Sequence, residues 1–359
     1  MEGLLKAAVW LMAGEKPSVE EIELSPPGPG EVEVELRAAG VCHSDLHLAV
    51  GHLGRRRFPT VLGHEGAGVV RAVGSGVGSV APGDQVAFCF LPACGECRQC
   101  RRDQANLCEP GSRAAFSGTM LDGTYRMHRT DGSPLQQFLT VGAFAERTIV
   151  PEQSVVKMPP AIGFADAALL GCAVVTGFGA VRNKARVRAG DRVAVIGTGG
   201  VGLQVIAAAA AAGAEVIVAV DPAQAKAELA LAQGATAFVP PDHVEGTFDW
   251  VFEVVGRPET IASAWRLTAP GGAVVVVGIA PVGADAQIAA IDFASEKSLL
   301  GSFYGSGNPA REIAALAEEI LSGAIDLGRS VTHRTDLEGI DEAFGRMQRG
   351  EGLRTLVEF

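Results

Sequence analysis

A middle segment, from about residue 174 to residue 302, alternates short apolar runs with stretches of helical pattern. The apolar runs include VAVIG at 193–197, EVIVAV at 215–220 and GAVVVVG at 272–278. Continuous apolar strands separated by helices are typical of a parallel sheet that is covered by helices on both faces. The segment is therefore predicted to be a doubly wound α/β domain.

A glycine-rich loop directly follows the first of these strands. The letters IGTGGVG place Gly197, Gly199 and Gly202 in the spacing G-x-G-x-x-G, and Asp221 follows the next strand 19 residues after Gly202. In this context the glycines let the backbone approach a pyrophosphate, whose charge meets the N-terminus of the next helix. A glycine-rich turn that binds nothing is the alternative, but the complete strand, loop, helix and acid favour a dinucleotide site.

The segments on either side of this α/β region have a different pattern. Before it, short strands such as 31–38 and 66–73 lie between turns rich in proline and glycine, which predicts a β-rich domain. After about residue 303 two amphipathic helices and a closing strand, LRTLVEF, follow. This order predicts a cofactor domain, residues 174–302, inserted into a catalytic domain that is formed by residues 1–173 and 303–359.

Charge and hydropathy disfavour several classes of partner. The 359 residues carry a formal net charge of -11, and this sign repels nucleic acid and anionic lipid. No uninterrupted apolar stretch reaches the ~18 residues of a membrane span, and the N-terminus lacks the pattern of a signal peptide. We therefore expect a soluble cytoplasmic protein without nucleic acid or membrane partners.

Five of the seven cysteines crowd into positions 89–108, and four of them have the spacing C-x2-C-x2-C-x7-C. Four thiolates can close a tetrahedral shell around zinc, and a closed site is structural. Disulfides or ordinary buried thiols are the alternative, which cytoplasmic redox conditions and the close spacing disfavour. The predicted ligands of this structural zinc are Cys94, Cys97, Cys100 and Cys108.

Further motifs resemble a known family. The string CHSDLH begins at Cys42, and GHEGAGVVRAVGSGV at 63–77 fits the pattern GHE-x2-G-x5-G-x2-V. Together with LLGCAVVTGFGA at 169–180, these motifs resemble the zinc-containing alcohol dehydrogenases of the medium-chain dehydrogenase/reductase superfamily. The resemblance extends through nearly the whole chain. It implies a GroES-like catalytic domain and a Rossmann cofactor domain.

The family pattern implies a second zinc with a catalytic role. Two thiolates and one imidazole leave the fourth tetrahedral position for water or a substrate oxygen. Asp45 resembles the carboxylate that orients the His64 ring, and Glu65 resembles the nearby acid that approaches the metal. The implied metal-site residues are Cys42, His64, Glu65 and Cys172.

The resemblance also implies the proton path and the cofactor contacts. Ser44 and His47 resemble a proton relay, and a solvated surface histidine is the alternative for His47. Asp221 would accept hydrogen bonds from the ribose of NAD and repel the phosphate of NADP, although it also suits a helix cap. The implied cofactor contacts are His43, Thr176, Gly197, Gly199, Gly200, Val201, Gly202, Asp221, Lys226 and Arg354, and the implied apolar pocket wall is Phe90, Phe138 and Leu139.

These features predict an NAD-dependent zinc alcohol dehydrogenase for primary, hydrophobic or aromatic alcohols and aldehydes. The rival enzyme is a dehydrogenase of the thiol adduct of formaldehyde. The glutathione-dependent members of that branch usually have an acidic residue at the position of Leu53, which disfavours this rival. Arg113 is close by, so the rival remains an alternative. The strings CHSDLH and GTMLDGTYRMH resemble an actinobacterial-type subgroup that holds NAD so tightly that an artificial acceptor re-oxidises it.

A protein of another class is the remaining alternative, namely a dehydrogenase scaffold without turnover. A scaffold protein of this kind would be expected to have lost a zinc ligand or the relay serine. This sequence keeps all of these residues. We expect a homodimer joined through the cofactor domains, with the region of the GAVVVVG strand at the contact, and a tetramer as the alternative.

Overall fold

The computed structural model describes residues 4–52, 58–327 and 330–359. Its chain divides into two compact units, of which the first combines Met1–Cys172 with Asn308–Phe359 and the second is Ala173–Gly307. Each unit has its own sheets and its own buried core.

Over its described residues up to Leu169, the first unit contains ten strands and three α-helices, besides short 3-10 turns. They are β1 (Leu5–Trp10), β2 (Ser18–Leu24), β3 (Glu31–Gly40), α1 (His43–Ala49), β4 (Thr60–Val61), β5 (Glu65–Val73), β6 (Gln85–Phe88), α2 (Glu109–Ser117), β7 (Met127–Arg129), β8 (Pro134–Gln137), β9 (Arg147–Pro151), β10 (Val155–Lys157) and α3 (Phe164–Leu169). Strands β1, β2, β7, β8 and β4 close a barrel. Alternate side chains of these strands fill its interior, among them Leu5, Val9, Ile22 and Leu135.

The second unit contains a six-stranded sheet in the order β13-β12-β11-β14-β15-β16. Its elements are α4 (Val175–Gly179), β11 (Arg192–Ile196), α5 (Gly200–Ala211), β12 (Val216–Val220), α6 (Ala227–Ala232), β13 (Ala237–Val239), β14 (Phe248–Glu253), α7 (Pro258–Leu267), β15 (Thr268–Val276) and β16 (Ser298–Gly301). All its strand pairs are parallel. The prediction of a β-rich domain with a doubly wound parallel sheet is confirmed.

The chain then returns to the first unit through α8 (Pro309–Leu321), β17 (Val331–Thr335), α9 (Ile340–Gln348) and β18 (Arg354–Glu358). Strand β18 runs antiparallel to β3, with Leu356 opposite Gly40, and β17 pairs with β18. These strands complete the second sheet of the first unit, β10-β6-β5-β3-β18-β17, to which β9 adds beside β3. The C-terminal strand therefore brings its residues next to the end of β3.

A helical run from residue 164 to residue 185 is the one described helix that is long and apolar enough to cross a membrane. Its most apolar window is 83% buried within the protein. Burial of this kind is typical of a core helix in a globular enzyme. A π-helical turn, Leu170–Val174, interrupts its α-helical hydrogen bonding, and such turns often occur at functional sites.

Candidate metal centres and cofactor loop

Four buried side chains of the first unit converge on one point. Cys42 precedes α1, His64 directly precedes β5, Glu65 is the first residue of β5, and Cys172 lies in the π-helical turn. One ligand atom from each of these residues lies within 4.8 Å of every other. The structure therefore brings together the four residues that the family pattern implied.

Asp45 fixes the direction of the His64 ring. Its Oδ1 accepts hydrogen bonds from His64 Nδ1 at 3.1 Å and from the Gly63 amide at 2.9 Å, and its Oδ2 accepts one from the Cys42 amide at 3.3 Å. With Nδ1 bound to a carboxylate, Nε2 is the ring nitrogen that remains to bind a metal. Asp45 is fully buried, so it does not exchange this role with water.

The two thiols of this cluster have opposite pKa shifts. A hydrogen bond from Cys172, together with the charge of Arg354, holds the pKa of Cys42 well below its usual value despite burial. The bond to Cys42, together with burial, raises the pKa of Cys172. A divalent cation replaces the shared proton when both sulfurs become ligands. Two sulfurs and one imidazole suit zinc, so the donor set fits that metal.

The pairing of Glu65 with Arg354 was missed from the sequence. Arg354 Nη1 lies 3.0 Å from Glu65 Oε1 and donates to the Val41 carbonyl at 3.1 Å. The sequence assigned Arg354 to the pyrophosphate; in this structure, which holds no cofactor, its side chain is buried and contacts Glu65 of the candidate metal site. Burial raises the pKa of Glu65 to about 8, and Arg354 opposes this shift. The pair depends on β18 lying beside β3, which no local motif encodes.

The four cysteines of the lobe form the second convergent group. One sulfur from each of Cys94, Cys97, Cys100 and Cys108 lies within 4.8 Å of the others. Backbone amides donate to these sulfurs, from Cys94 to Cys108 at 3.2 Å and from Cys97 to Cys94 at 3.3 Å. Such amides lower the pKa of Cys97 to about 6. Four thiolates fill a tetrahedral shell, so this group suits a structural zinc.

The residues that the family pattern implied for a proton relay and an apolar pocket wall include several next to the buried cluster. Ser44 Oγ lies 3.9 Å from Cys42 Sγ, and His47 follows in the same helix, α1. The rings of Phe90 and Phe138 meet the His64 imidazole edge-on, with centroid distances of 5.4 and 5.5 Å. Leu139 follows Phe138 and is also buried.

Other residues named from the sequence lie outside this group. The ring centroids of His43 and His47 are 6.5 Å apart in α1. His52, which the sequence did not single out, has its Nδ1 3.4 Å from His47 Nδ1. Arg113 is exposed on α2. Leu53 lies outside the described residues.

The glycine-rich loop of the second unit joins β11 to α5. Gly197 has φ +95°, and a Cβ on Gly202 would lie 1.9 Å from the Gly197 carbonyl oxygen, so only glycine fits at either position. Helix α5 begins at Gly200, with Val201 in its first turn. Its N-terminal amides form the type of site that accepts a pyrophosphate. Thr176 lies in α4 of the same unit.

Asp221 directly follows β12, beside this loop. Its Oδ2 accepts hydrogen bonds from the Thr198 amide, the Thr198 hydroxyl and Lys226 Nζ, and its Oδ1 accepts one from the Ala223 amide. Burial opposes ionisation, yet the Ala223 amide, Lys226 and the Thr198 amide hold the pKa of Asp221 below its usual value. The carboxylate is therefore charged at neutral pH.

Comparisons with known proteins agree with this geometry. Residues 28–160 match the family model described as alcohol dehydrogenase GroES-like domain, and residues 200–322 match the one described as zinc-binding dehydrogenase. The chain is 38% identical over 366 residues to the NDMA-dependent alcohol dehydrogenase of Amycolatopsis methanolica, with 98% of each chain covered. It is 37% identical over 367 residues to the S-(hydroxymethyl)glutathione dehydrogenase of Photobacterium damsela subsp. piscicida, with 99% of each covered.

Among solved structures, the benzyl alcohol dehydrogenase of Acinetobacter calcoaceticus matches with a TM-score of 0.92 and 27% identity, and 99% of each chain is covered. The predicted family, enzyme class and cofactors are thereby confirmed. The chain belongs to the zinc-containing alcohol dehydrogenases of the medium-chain dehydrogenase/reductase superfamily, and it is an NAD-linked oxidoreductase with two zinc sites.

Proposed function

We propose that the chain interconverts primary, hydrophobic or aromatic alcohols and their aldehydes at the cluster of Cys42, His64 and Cys172. The observation that carries this proposal is the composition of that cluster and its walls. Two sulfurs and an oriented imidazole converge at a buried point, and two aromatic rings stand edge-on to the imidazole. Three protein ligands leave one tetrahedral position open.

We propose a role for each side chain at this site, and the positions of these side chains support the proposal. Cys42, His64 and Cys172 would hold the zinc, which would supply Lewis acidity toward the alcohol oxygen, and the bound NAD would supply the hydride acceptor. Ser44, beside Cys42, would accept the hydroxyl proton of the alcohol while it passes its own proton on through the cofactor ribose, and His47 would release a proton to solvent. Asp45 keeps His64 in the tautomer that presents Nε2. Glu65, paired with Arg354, is an acid within reach of the metal site during ligand exchange.

The pocket wall supports the choice of substrate class. Phe90 and Phe138 are each 4% exposed and Leu139 is 6% exposed, and the two rings contact the His64 imidazole, so buried apolar side chains adjoin the proposed metal site. Burying an aromatic ring against such a wall is favourable by about 25 cal/mol per Å² of apolar area. The structural neighbour named a benzyl alcohol dehydrogenase agrees with this preference.

Two narrower activities have support from relatives. One relative is named an S-(hydroxymethyl)glutathione dehydrogenase, which favours the thiol adduct of formaldehyde as a second candidate substrate. Another is named an NDMA-dependent alcohol dehydrogenase, which favours a tightly held NAD that an external acceptor re-oxidises.

A substrate screen separates these candidates. We expect kcat/KM for benzyl alcohol to exceed that for ethanol by at least ~10²-fold, since each tenfold corresponds to ~1.4 kcal/mol of binding to the apolar wall. The screen uses NAD with and without NDMA, and formaldehyde with and without glutathione. Turnover confined to formaldehyde plus glutathione would favour the second candidate and exclude the first.

We also propose that Asp221 makes the enzyme prefer NAD to NADP. A charged carboxylate after the second strand accepts hydrogen bonds from the ribose hydroxyls and repels a 2′-phosphate. The fixed position and lowered pKa of Asp221 support this role. Its bond to the Ala223 amide is also that of a local turn, so both roles coexist.

Replacing Asp221 by serine tests this assignment. We expect the ratio of kcat/KM for NAD over NADP to be at least ~10² in the parent and to collapse or reverse in Asp221→Ser. A parent enzyme that used NADP as well as NAD would leave Asp221 with the turn role alone.

We further propose that residues 1–173 and 303–359 form the catalytic domain of a soluble cytoplasmic enzyme and that residues 174–302 bind NAD. The zinc-ligand candidates lie in the first compact unit and the glycine-rich loop lies in the second. Contact between copies is proposed at strand β16. The GAVVVVG strand is β15, and β16 is its neighbour in the same region of the sheet; β15 is paired on both edges, so β16 is the strand whose edge could pair with a second copy.

Strand β16 has properties of an interface between two copies. Among the described residues it is paired on one side only, by β15. Leu299 within it is 41% exposed, and nearby Ile291 and Phe293 are 78% and 51% exposed. An unpaired edge with exposed apolar side chains pairs readily with its own symmetry mate, giving a dimer.

The oligomeric state of a charged variant checks this proposal. We expect Leu299→Lys to shift the molar mass measured by light scattering from dimer to monomer. Leu231→Lys on α6, where the side chain is 48% exposed, is the matched control and should leave the mass unchanged. An unchanged dimer in Leu299→Lys would place the interface elsewhere.

A further inference from the structure

Thr198, the second residue of the glycine-rich loop, is bound to Asp221 twice. Its amide and its hydroxyl both donate to Asp221 Oδ2, at 2.9 and 3.0 Å. Thr198 is fully buried and Asp221 is 5% exposed, so water does not compete for these bonds. Beside them, the Gly197 amide donates to the Val220 carbonyl at 2.8 Å. Two hydrogen bonds thus join the loop to Asp221, and a third joins it to Val220, the residue before Asp221.

The two oxygens of Asp221 are used unequally. Oδ2 accepts from three donors, namely the Thr198 amide, the Thr198 hydroxyl and Lys226 Nζ. Oδ1 accepts from the Ala223 amide. A carboxylate offers about four lone-pair positions, two on each oxygen. Oδ2 is therefore saturated, and Oδ1 keeps capacity for an incoming hydroxyl.

We propose that Thr198 is a positioning residue for cofactor selection, because its hydroxyl holds Asp221 Oδ2 and so presents Oδ1 to the adenosine ribose of NAD. This inference rests on the proposed role of Asp221. It adds that the residue between the first two glycines of the loop contributes to selectivity through its side chain. A side chain without a hydrogen-bond donor at this position would leave Asp221 Oδ2 with the amide bond alone from this residue.

Loss of the hydroxyl has a directional consequence. Oδ2 would keep the Thr198 amide and Lys226, and the carboxylate would be freer to turn toward the Lys226 ammonium group. A carboxylate drawn to Lys226 accepts less well from a ribose hydroxyl and repels a 2′-phosphate less. NAD binding should weaken, whereas NADP binding should stay level or improve.

Direct binding of NAD and of NADP to the purified, full-length protein tests this inference by calorimetry, without turnover. We expect Thr198→Val to lower the ratio of NAD affinity to NADP affinity by about tenfold, the effect of one hydrogen bond to a charged group. Thr198→Ser keeps the hydroxyl and should restore the parent ratio. Thr198→Ala repeats the loss of the hydroxyl with a smaller side chain, in case the valine variant folds poorly.

The matched control is Thr268→Val in the same unit. Thr268 is also fully buried, and its hydroxyl donates to the Ala264 carbonyl at 2.9 Å, away from the loop. We expect Thr268→Val to lower thermal stability and to leave the affinity ratio unchanged. A purely structural role for Thr198 would give the same pattern as this control.

The outcomes separate the two claims about this site. The inference about Thr198 alone would be overturned if Thr198→Val and Thr198→Ala both kept the parent ratio of NAD to NADP affinity while Asp221→Ser lost it. If Asp221→Ser also kept the parent affinity ratio, the proposed role of Asp221 would itself be overturned. A lowered ratio in the valine and alanine variants that serine restores is the expected result.

Discussion

Cys172→Ala is expected to abolish alcohol oxidation and to lower the zinc content of the chain from two ions to about one. The substitution removes one of the two sulfurs at the buried cluster and leaves Cys42 and His64 as the remaining soft donors. Mutation of a residue that only hydrogen-bonds to a metal ligand typically lowers metal affinity or activity about 10- to 100-fold. Loss of a ligand itself should therefore lower kcat by more than ~10²-fold. Elemental analysis and steady-state kinetics on the same sample measure both effects.

Substitutions of two other cysteines are the controls for Cys172→Ala. Cys89 is buried, lies in neither metal group and bonds the Leu91 carbonyl, so Cys89→Ala should keep both zinc ions and nearly full activity. Cys97→Ala opens the lobe, and we expect it to reduce solubility and stability more than the intrinsic rate of the folded fraction. Full activity in Cys172→Ala would show that the catalytic site has been assigned wrongly.

Ser44→Ala is expected to reduce alcohol oxidation by about 10²- to 10⁴-fold, the usual contribution of a positioned acid-base group. Ser44 Oγ lies 3.9 Å from Cys42 Sγ, so its hydroxyl adjoins the metal cluster. Removal of this hydroxyl leaves the alcohol proton without its first acceptor, while the zinc ligands remain. The expected signature is therefore a low kcat with two zinc ions still bound.

His47→Gln should have a smaller effect, about tenfold, and added buffer base should partly rescue it because the proton exits near the surface. His52 Nδ1 lies 3.4 Å from His47 Nδ1, so the rate of the His52→Gln variant should be compared with that of His47→Gln. Unchanged rates and pH profiles in both Ser44→Ala and His47→Gln would rule out the relay.

Local sequence patterns predicted the elements whose spacing is set by their own chemistry. The glycine-rich loop requires glycine at Gly197 and Gly202 for backbone reasons alone, and the four lobe cysteines lie within 15 consecutive residues. Likewise, the alternation of apolar runs and helices was sufficient to predict the parallel sheet. Each of these signals is complete within a short stretch of chain.

Contacts between distant segments were not predictable in this way. The pairing of Glu65 with Arg354 joins residues 289 positions apart and depends on β18 lying beside β3. The edge position of β16 depends on the order of all six strands, which apolar content does not encode. The bond from the Thr198 hydroxyl to Asp221 depends on a rotamer and on the loop geometry.

The most direct test of the central claim follows zinc content and NADH formation together on one preparation of the wild-type protein. Zinc is withdrawn stepwise with a chelator and then restored, with benzyl alcohol and NAD as substrates. We predict two zinc ions per chain at the start, a rate that falls in proportion to loss of the ion at the Cys42, His64 and Cys172 cluster, and recovery when zinc returns. An undiminished rate in protein stripped of zinc would contradict the claim.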